Sequence, residues 1–127
     1  MIKVIDTELK IHARRVSKKW GEEVIVHNDS DYCGKLLKFN VGAKFSMHFH
    51  LKKKETWYVN EGSFILKYID VKDATVREIE LRPGMFVEIN QGDPHQLIAN
   101  TKGVIFEVST EHFDNDSYRI EKGDSQC

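Results

Sequence analysis

The chain has almost no net charge, little cysteine or proline, and no long apolar run. Its 127 residues include 19 Lys and Arg against 20 Asp and Glu, with two Cys and two Pro. This near-balance excludes the broad basic surface that binds nucleic acid or an anionic membrane. The length suits a single domain with one core. We therefore expect neither nucleic acid nor membrane as a partner.

The two cysteines and the first residues bear on the compartment. Cys33 and Cys127 are too far apart to form a ligand pair by spacing, and we expect both to be free thiols in a reducing compartment. The first fifteen residues are charged throughout, unlike a signal peptide or a membrane span. The sequence thus favours a cytoplasmic location.

Short β-type segments separated by turn residues dominate residues 23–109. The turns include Asn60-Glu61-Gly62, Arg82-Pro83-Gly84 and Gly92-Asp93-Pro94. Eight or nine strands at such intervals predict an all-β sandwich or barrel. Residues 1–22 are expected to form an N-terminal extension and residues 110–127 a polar tail. The extension fits either a short helix or an outlying strand, since its apolar residues recur at helical spacing among many charges: Ile5, Leu9, Ala13, Val16 and Trp20.

Three histidines and one glutamate form the most informative pattern. His48 and His50 are two residues apart, so on a strand they face the same side. Glu55 follows a short lysine run and can return on a second strand, while His95 opens a strand directly after the Gly-Asp-Pro turn. Imidazole and carboxylate ligands suit one divalent ion of zinc, iron, manganese, cobalt or nickel. His48, His50, Glu55 and His95 are therefore the predicted metal ligands.

Other polar and aromatic residues near this pattern allow two interpretations. Trp57 is two residues beyond Glu55 and faces the same interior, either as core or as a wall of a substrate pocket. The run Lys52-Lys53-Lys54 is typical of a solvated loop, but Lys54 is retained as a candidate for holding a substrate phosphate. The other histidines fit no such pattern and are expected to be ordinary, partly exposed residues: His12, His27 and His112.

The spacing of these residues resembles the cupin superfamily. Its first motif, G-x5-H-x-H-x3–4-E-x6-G, is met from Gly42 to Gly62, and its second is met at Gly84, Gly92 and His95. Asn90 stands where proline is usual in the second motif, and Asn100 comes one residue late. The resemblance implies a double-stranded β-helix, the cupin jelly-roll barrel, with the metal ion inside it.

Within that superfamily the sequence is similar to the cupin domain of type II mannose-6-phosphate isomerases. The similarity lies in "KKWGEE", "FSMHFH", "ETW" and "FEVST…DSYR", and Arg119 matches an arginine near the end of those domains. It implies an aldose–ketose isomerase that acts on a small sugar or sugar phosphate, with Arg119 in the substrate pocket or in a surface salt bridge. An iron-dependent dioxygenase and a non-catalytic small-molecule-binding cupin are the alternatives.

Two further expectations concern the catalytic base and the assembly. An isomerase needs a group that moves a proton between neighbouring carbons. The sequence offers Glu88, Glu107 and several lysines, among which strand alternation alone does not choose. A small barrel with exposed edge strands tends to cover them by pairing, so we expect a homodimer.

Overall fold

Two antiparallel sheets make up the protein in a computed structural model that describes residue 2 and residues 13–126. The strands, in chain order, are β1 (Arg14–Lys18), β2 (Gly21–Asn28), β3 (Cys33–Phe39), β4 (Met47–Phe49), β5 (Glu55–Glu61), β6 (Phe64–Asp70), β7 (Thr75–Leu81), β8 (Phe86–Ile89), β9 (His95–Ala99), β10 (Gly103–Ser109) and β11 (Tyr118–Glu121). In the described residues the only helix is a 3₁₀ turn, Asp124–Gln126. The all-β prediction is confirmed.

The two sheets differ in size and share the core between them. The larger has the strand order β1-β2-β3-β10-β5-β8, and the smaller the order β11-β4-β9-β6-β7. Alternate residues of β3, β5 and β10 point inward, as expected for strands with one buried face. The packed aromatic and aliphatic side chains at one end of the barrel include Trp20, Phe39, Phe64, Leu81, Leu97 and Ile105. This arrangement is the cupin jelly roll that the motifs imply.

The described part of the N-terminal extension contains a strand. Residues 14–18 form β1 and pair antiparallel with β2 from Arg14↔Ile25 to Lys18↔Gly21. Of the proposed stripe, Ile5 and Leu9 lie outside the described residues, whereas Trp20 stacks on Phe39 in the core at 4.5 Å. The helical alternative is therefore wrong for residues 14–18.

Two glycine turns position the strands that carry the predicted metal ligands. Gly62 closes the β5–β6 hairpin with φ at 85°, and an added Cβ would lie 2.6 Å from the Lys102 carbonyl oxygen. Gly92, with φ at 82°, donates its N–H to the His50 carbonyl at 2.7 Å. Since glycine adopts positive φ without steric cost, this turn can tie the start of β9 to the end of β4.

Two smaller expectations can be compared with the fold. Cys33 is a buried free thiol, as expected, and Cys127 lies outside the described residues. No helix in the described part of the chain is long and apolar enough to cross a membrane.

Candidate metal centre

Three imidazole rings converge between β4 and β9. His48 lies directly opposite His95 in the β4–β9 pair, and His50 follows β4 on the same face. The ring centroids are 4.6 Å apart for His48 and His95 and 4.9 Å apart for His48 and His50. One ring nitrogen from each histidine lies within 4.8 Å of those of the other two. The structure thus brings together the three histidines predicted as ligands, in positions suited to one metal ion.

Backbone carbonyls orient all three rings. The Nδ1 atoms of His48, His50 and His95 lie 2.7, 2.6 and 2.8 Å from the carbonyl oxygens of Ser46, Asp116 and Asp93 respectively. A carbonyl only accepts, so each Nδ1 carries the proton and donates it. Each Nε2 is then left with its lone pair, the form that binds a metal ion.

Burial keeps these rings neutral. His50 and His95 are buried and His48 is half-buried as a residue. Burial is the main reason why the pKa of each ring falls from 6.5 to about 3, and nearby positive groups add to the effect. For His48 these positive groups are Lys53 and Arg119. Neutral imidazoles are what metal ligation requires near neutral pH.

Glu55 borders the cluster from the first position of β5. Its Oε2 lies 3.5 Å from His50 Nε2, and its Oε1 lies 3.9 Å from His95 Nε2. The carboxylate is thus close to two of the histidines. The ligand atoms that all lie within 4.8 Å of one another are those of the three histidines alone.

Two atoms of this group lack hydrogen-bond partners. Among the described residues nothing forms a hydrogen bond with His95 Nε2 or with Glu55 Oε2, although both atoms are buried. Buried polar atoms are nearly always paired, by protein, water or an ion. The three Nε2 lone pairs and the Glu55 carboxylate, which include these two atoms, together fit a divalent cation.

Lys53 corrects the expectation of a wholly solvated lysine run. It is 4% exposed, and its Nζ lies 3.2 Å from Glu55 Oε2 and 3.3 Å from both Glu107 Oε2 and His112 Nδ1. Its contact with Glu55 is an ion pair without hydrogen-bond geometry. Burial lowers the pKa of Lys53, but Glu107 and Glu55 outweigh it and raise the pKa above its usual value. The prediction is therefore wrong for Lys53, which is charged and inside the barrel.

Glu107 is the third member of this buried charge network. It is 3% exposed on β10, opposite Lys35 and Trp57 in the strand pairing, and it accepts a hydrogen bond from Trp57 Nε1 at 3.3 Å. Burial raises its pKa, but Lys53 and Lys35 lower it to about 2. For Glu55, burial and the charge of Glu107 raise the pKa to about 7. Two carboxylates therefore share one ammonium group.

The segment after β10 holds the loop that contains Lys53. The buried Asp116 carboxylate accepts backbone N–H groups of Leu51, Lys52 and Lys53 at 3.0–3.1 Å. Although burial raises the pKa of Asp116, these hydrogen bonds bring it below its usual value. Its carbonyl also orients His50. Asp116 is thus a structural member of the site that sequence reasoning missed.

A cavity of about 320 Å³ is lined by His48, His50 and Glu55, whereas His95 lies outside its lining. Trp57 and Arg119, two of the residues predicted for a substrate pocket, line it, and Trp57 is 1% exposed with its ring 5.4 Å from that of His95. Lys54 is exposed and does not line this cavity. Strand alternation places Lys54 opposite to Lys53 and Glu55, so the lysine that enters the barrel is Lys53.

Some of the remaining histidines and glutamates line the cavity and others lie outside it. His112 lines the cavity and contacts Lys53, so it is not an ordinary surface histidine. His27 lies elsewhere, 2.8 Å from Asp29, and His12 is outside the described residues. Glu107 lines the cavity, whereas Glu88 is exposed outside it. Glu107 comes two residues after the apolar Ile105 on β10, so strand alternation places both side chains on the inner face. This spacing could have identified Glu107 from the sequence.

Comparison with solved structures shows the same fold at low sequence identity. The capsular polysaccharide assembling protein CapF from Staphylococcus aureus gives a TM-score of 0.76 at 19% identity, over 91% of this chain and 34% of CapF. Oxalate decarboxylase from Bacillus subtilis gives 0.74 at 18% identity, over 85% of this chain and 30% of the decarboxylase. KdgF from Halomonas sp. gives 0.64 at 20% identity, over 74% and 81% of the respective chains.

These similarities establish the fold and not a shared activity. The match spans about a third of the length of CapF and of oxalate decarboxylase. No curated protein sequence matches the chain. The model of the Cupin domain matches residues 35–110, more than half of the chain and a range that contains all three histidines and Glu55. The chain therefore belongs to the cupin family.

Proposed function

We propose that this cupin binds one divalent metal ion through His48, His50, His95 and Glu55 and acts on a small sugar or sugar phosphate. The observation that supports this best is the convergence of three Nε2 lone pairs beside Glu55 Oε2, a buried atom that, like His95 Nε2, lacks a hydrogen-bond partner. Zinc, iron, manganese, cobalt and nickel all accept such ligands. The cavity is large enough for a small-molecule substrate.

The reaction that we propose is aldose–ketose isomerisation of the mannose-6-phosphate isomerase type. A bound divalent ion would supply Lewis-acid polarisation of a carbonyl oxygen. The chain itself must hold the sugar and move a proton between neighbouring carbons. Trp57 provides an apolar wall, and Glu107 is the better placed of the two glutamates considered as bases, because Glu88 lies outside the cavity.

Metal analysis followed by turnover measurement tests this proposal. The purified protein is loaded with each of the five metals, and conversion of mannose 6-phosphate to fructose 6-phosphate is followed. We expect turnover in at least one metal form, and its loss in His95→Ala but not in His27→Ala. Oxygen consumption by the ferrous form would support a dioxygenase instead. A ligand-dependent thermal shift without turnover would support a binding protein.

We also propose a homodimer formed through the outer face of the larger sheet. Phe106, Tyr58 and Phe86 are paired across β10, β5 and β8 and are 40, 44 and 66% exposed. Contiguous exposed aromatic surface of this kind favours protein association. Light scattering should give twice the chain mass at micromolar concentration, and Phe86→Asp should shift the protein toward the monomer. A monomeric wild-type protein would refute the dimer.

A further inference from the structure

The mouth of the cavity carries cations that form no ion pair with a carboxylate of the described residues. Arg14, Lys18 and Arg119 line the cavity and form no ion pair with any described residue. We call these three residues the mouth cations. Arg14 and Lys18 occupy alternate positions of β1 with Val16 between them, so the three share one face of that strand.

The carboxylates of the same cavity are all engaged with other groups. Glu23 pairs with Lys35 at 2.5 Å, and Asp114 lies 3.2 Å from His112 Nε2. Glu55 and Glu107 share Lys53 deep in the barrel. The described lining therefore has five cationic side chains against four carboxylates, and this excess of positive charge lies at the mouth, where the three cations have no ion pair. An anionic group of a ligand would compensate it.

Sheet topology places these cations around one opening. β1 is an edge strand of the larger sheet and β11 is an edge strand of the smaller one, so the cavity opens between these two edges. Arg119 on β11 pairs directly with His48 on β4. Neighbouring strands lie about 4.8 Å apart, so one small molecule can reach from the histidines to Arg119.

We propose that the mouth cations bind the phosphate of a phosphorylated substrate whose sugar end lies at the histidines. The contact at the histidines rests on the proposed function, whereas the phosphate contact does not need the metal. A phosphomonoester carries nearly two negative charges at neutral pH and three acceptor oxygens, which suits two guanidinium groups and one ammonium group. A carboxylate offers these three groups only two acceptor oxygens and one negative charge.

Calorimetric titration of matched ligands tests the phosphate site. Mannose 6-phosphate, mannose, gluconate and inorganic phosphate are titrated into metal-free and zinc-loaded protein at low salt. We expect mannose 6-phosphate to bind at least about 10-fold more tightly than mannose or gluconate, the size of one charge-assisted hydrogen bond or more. Inorganic phosphate should compete with it, and added salt should weaken binding.

Variants that remove one positive charge show which residues cause the preference for mannose 6-phosphate. Arg119→Gln and Arg14→Gln should each reduce affinity for mannose 6-phosphate about 10-fold and leave mannose unaffected. Lys102→Gln removes the same charge from an exposed position outside the cavity and should change nothing. Thermal unfolding of each variant shows whether it remains folded. Because Arg14 and Arg119 lie on different strands, one variant still tests the phosphate site if the other fails to fold.

The outcomes separate this inference from the proposed function. Equal affinity for mannose and mannose 6-phosphate, no binding of any phosphate, equal binding of gluconate, or unchanged affinity in both arginine variants would overturn the phosphate site even if zinc binds. Conversely, a protein that binds no metal but shows the phosphate preference and loses it in the arginine variants would retain the inference and refute the metal-dependent function.

Discussion

Replacement of Lys53 by methionine should have opposite effects on the metal-free and metal-bound protein. Lys53, Glu55 and Glu107 are 4, 5 and 3% exposed, and they combine one positive with two negative charges. Methionine is unbranched and only one atom shorter than lysine, but it leaves both carboxylates without the ammonium group. Removing one partner of a buried ion pair costs about 3–5 kcal/mol, which is a large part of the 5–15 kcal/mol stability of a typical domain.

A bound divalent cation would compensate much of that loss. Its charge replaces the missing ammonium beside Glu55, so the metal should add more to the free energy of unfolding in Lys53→Met than in the wild type. Urea unfolding at pH 7.5, with and without zinc, measures both quantities. Lys102→Met is the matched control at an exposed position and should behave as the wild type.

Two results would refute this reasoning. A metal-free Lys53→Met protein that loses less than about 1 kcal/mol would show that the buried network does not need the lysine charge. A smaller increment from zinc in the variant than in the wild type would show that Glu55 and Glu107 are not electrostatically coupled to the metal position.

Three further predictions concern the loop clamp, the second carboxylate and pH. Asp116→Ala should lower the free energy of unfolding by about 2 kcal/mol in urea, because one buried and two partly buried N–H groups lose their acceptor; Asp73→Ala, at an exposed turn, should cost less. Glu107→Gln should weaken zinc binding about 10–100-fold in chelator competition, because Glu55 is then fully neutralised by the remaining lysine; unchanged affinity would contradict this. The metal-free protein should lose stability as pH falls from 6.5 toward 3, since there the unfolded state binds protons that the buried histidines do not; a urea midpoint that stays constant between pH 7 and pH 4.5 would exclude it.

Local sequence patterns predicted most of the fold and the convergence of the histidines. Period-2 alternation and glycine turns define strands, and a one-residue register shift would turn His48 and His50 away from His95. The same alternation, extended backward from Glu55 and Trp57, would have placed Lys53 inside. The lysine-rich composition of that segment outweighed the alternation in the sequence interpretation.

Contacts between distant segments could not be predicted in this way. Asp116 reaches the loop after β4 from more than 60 residues away, and His112 reaches Lys53 across a similar separation. Nothing in the local sequence of either residue specifies the loop that it contacts. The orientation of His50 depends on such a contact, because its Nδ1 partner is a carbonyl of the C-terminal segment.

Metal stoichiometry tests the central claim most directly. The protein, purified without chelator, is dialysed in turn against each of the five candidate metals, and bound metal is measured per chain. We predict one ion per chain for the wild type and for His27→Ala, and a strong reduction for His95→Ala and His50→Ala. Absence of every metal from the folded wild-type protein, or equal loading of the His95→Ala variant, would contradict the account.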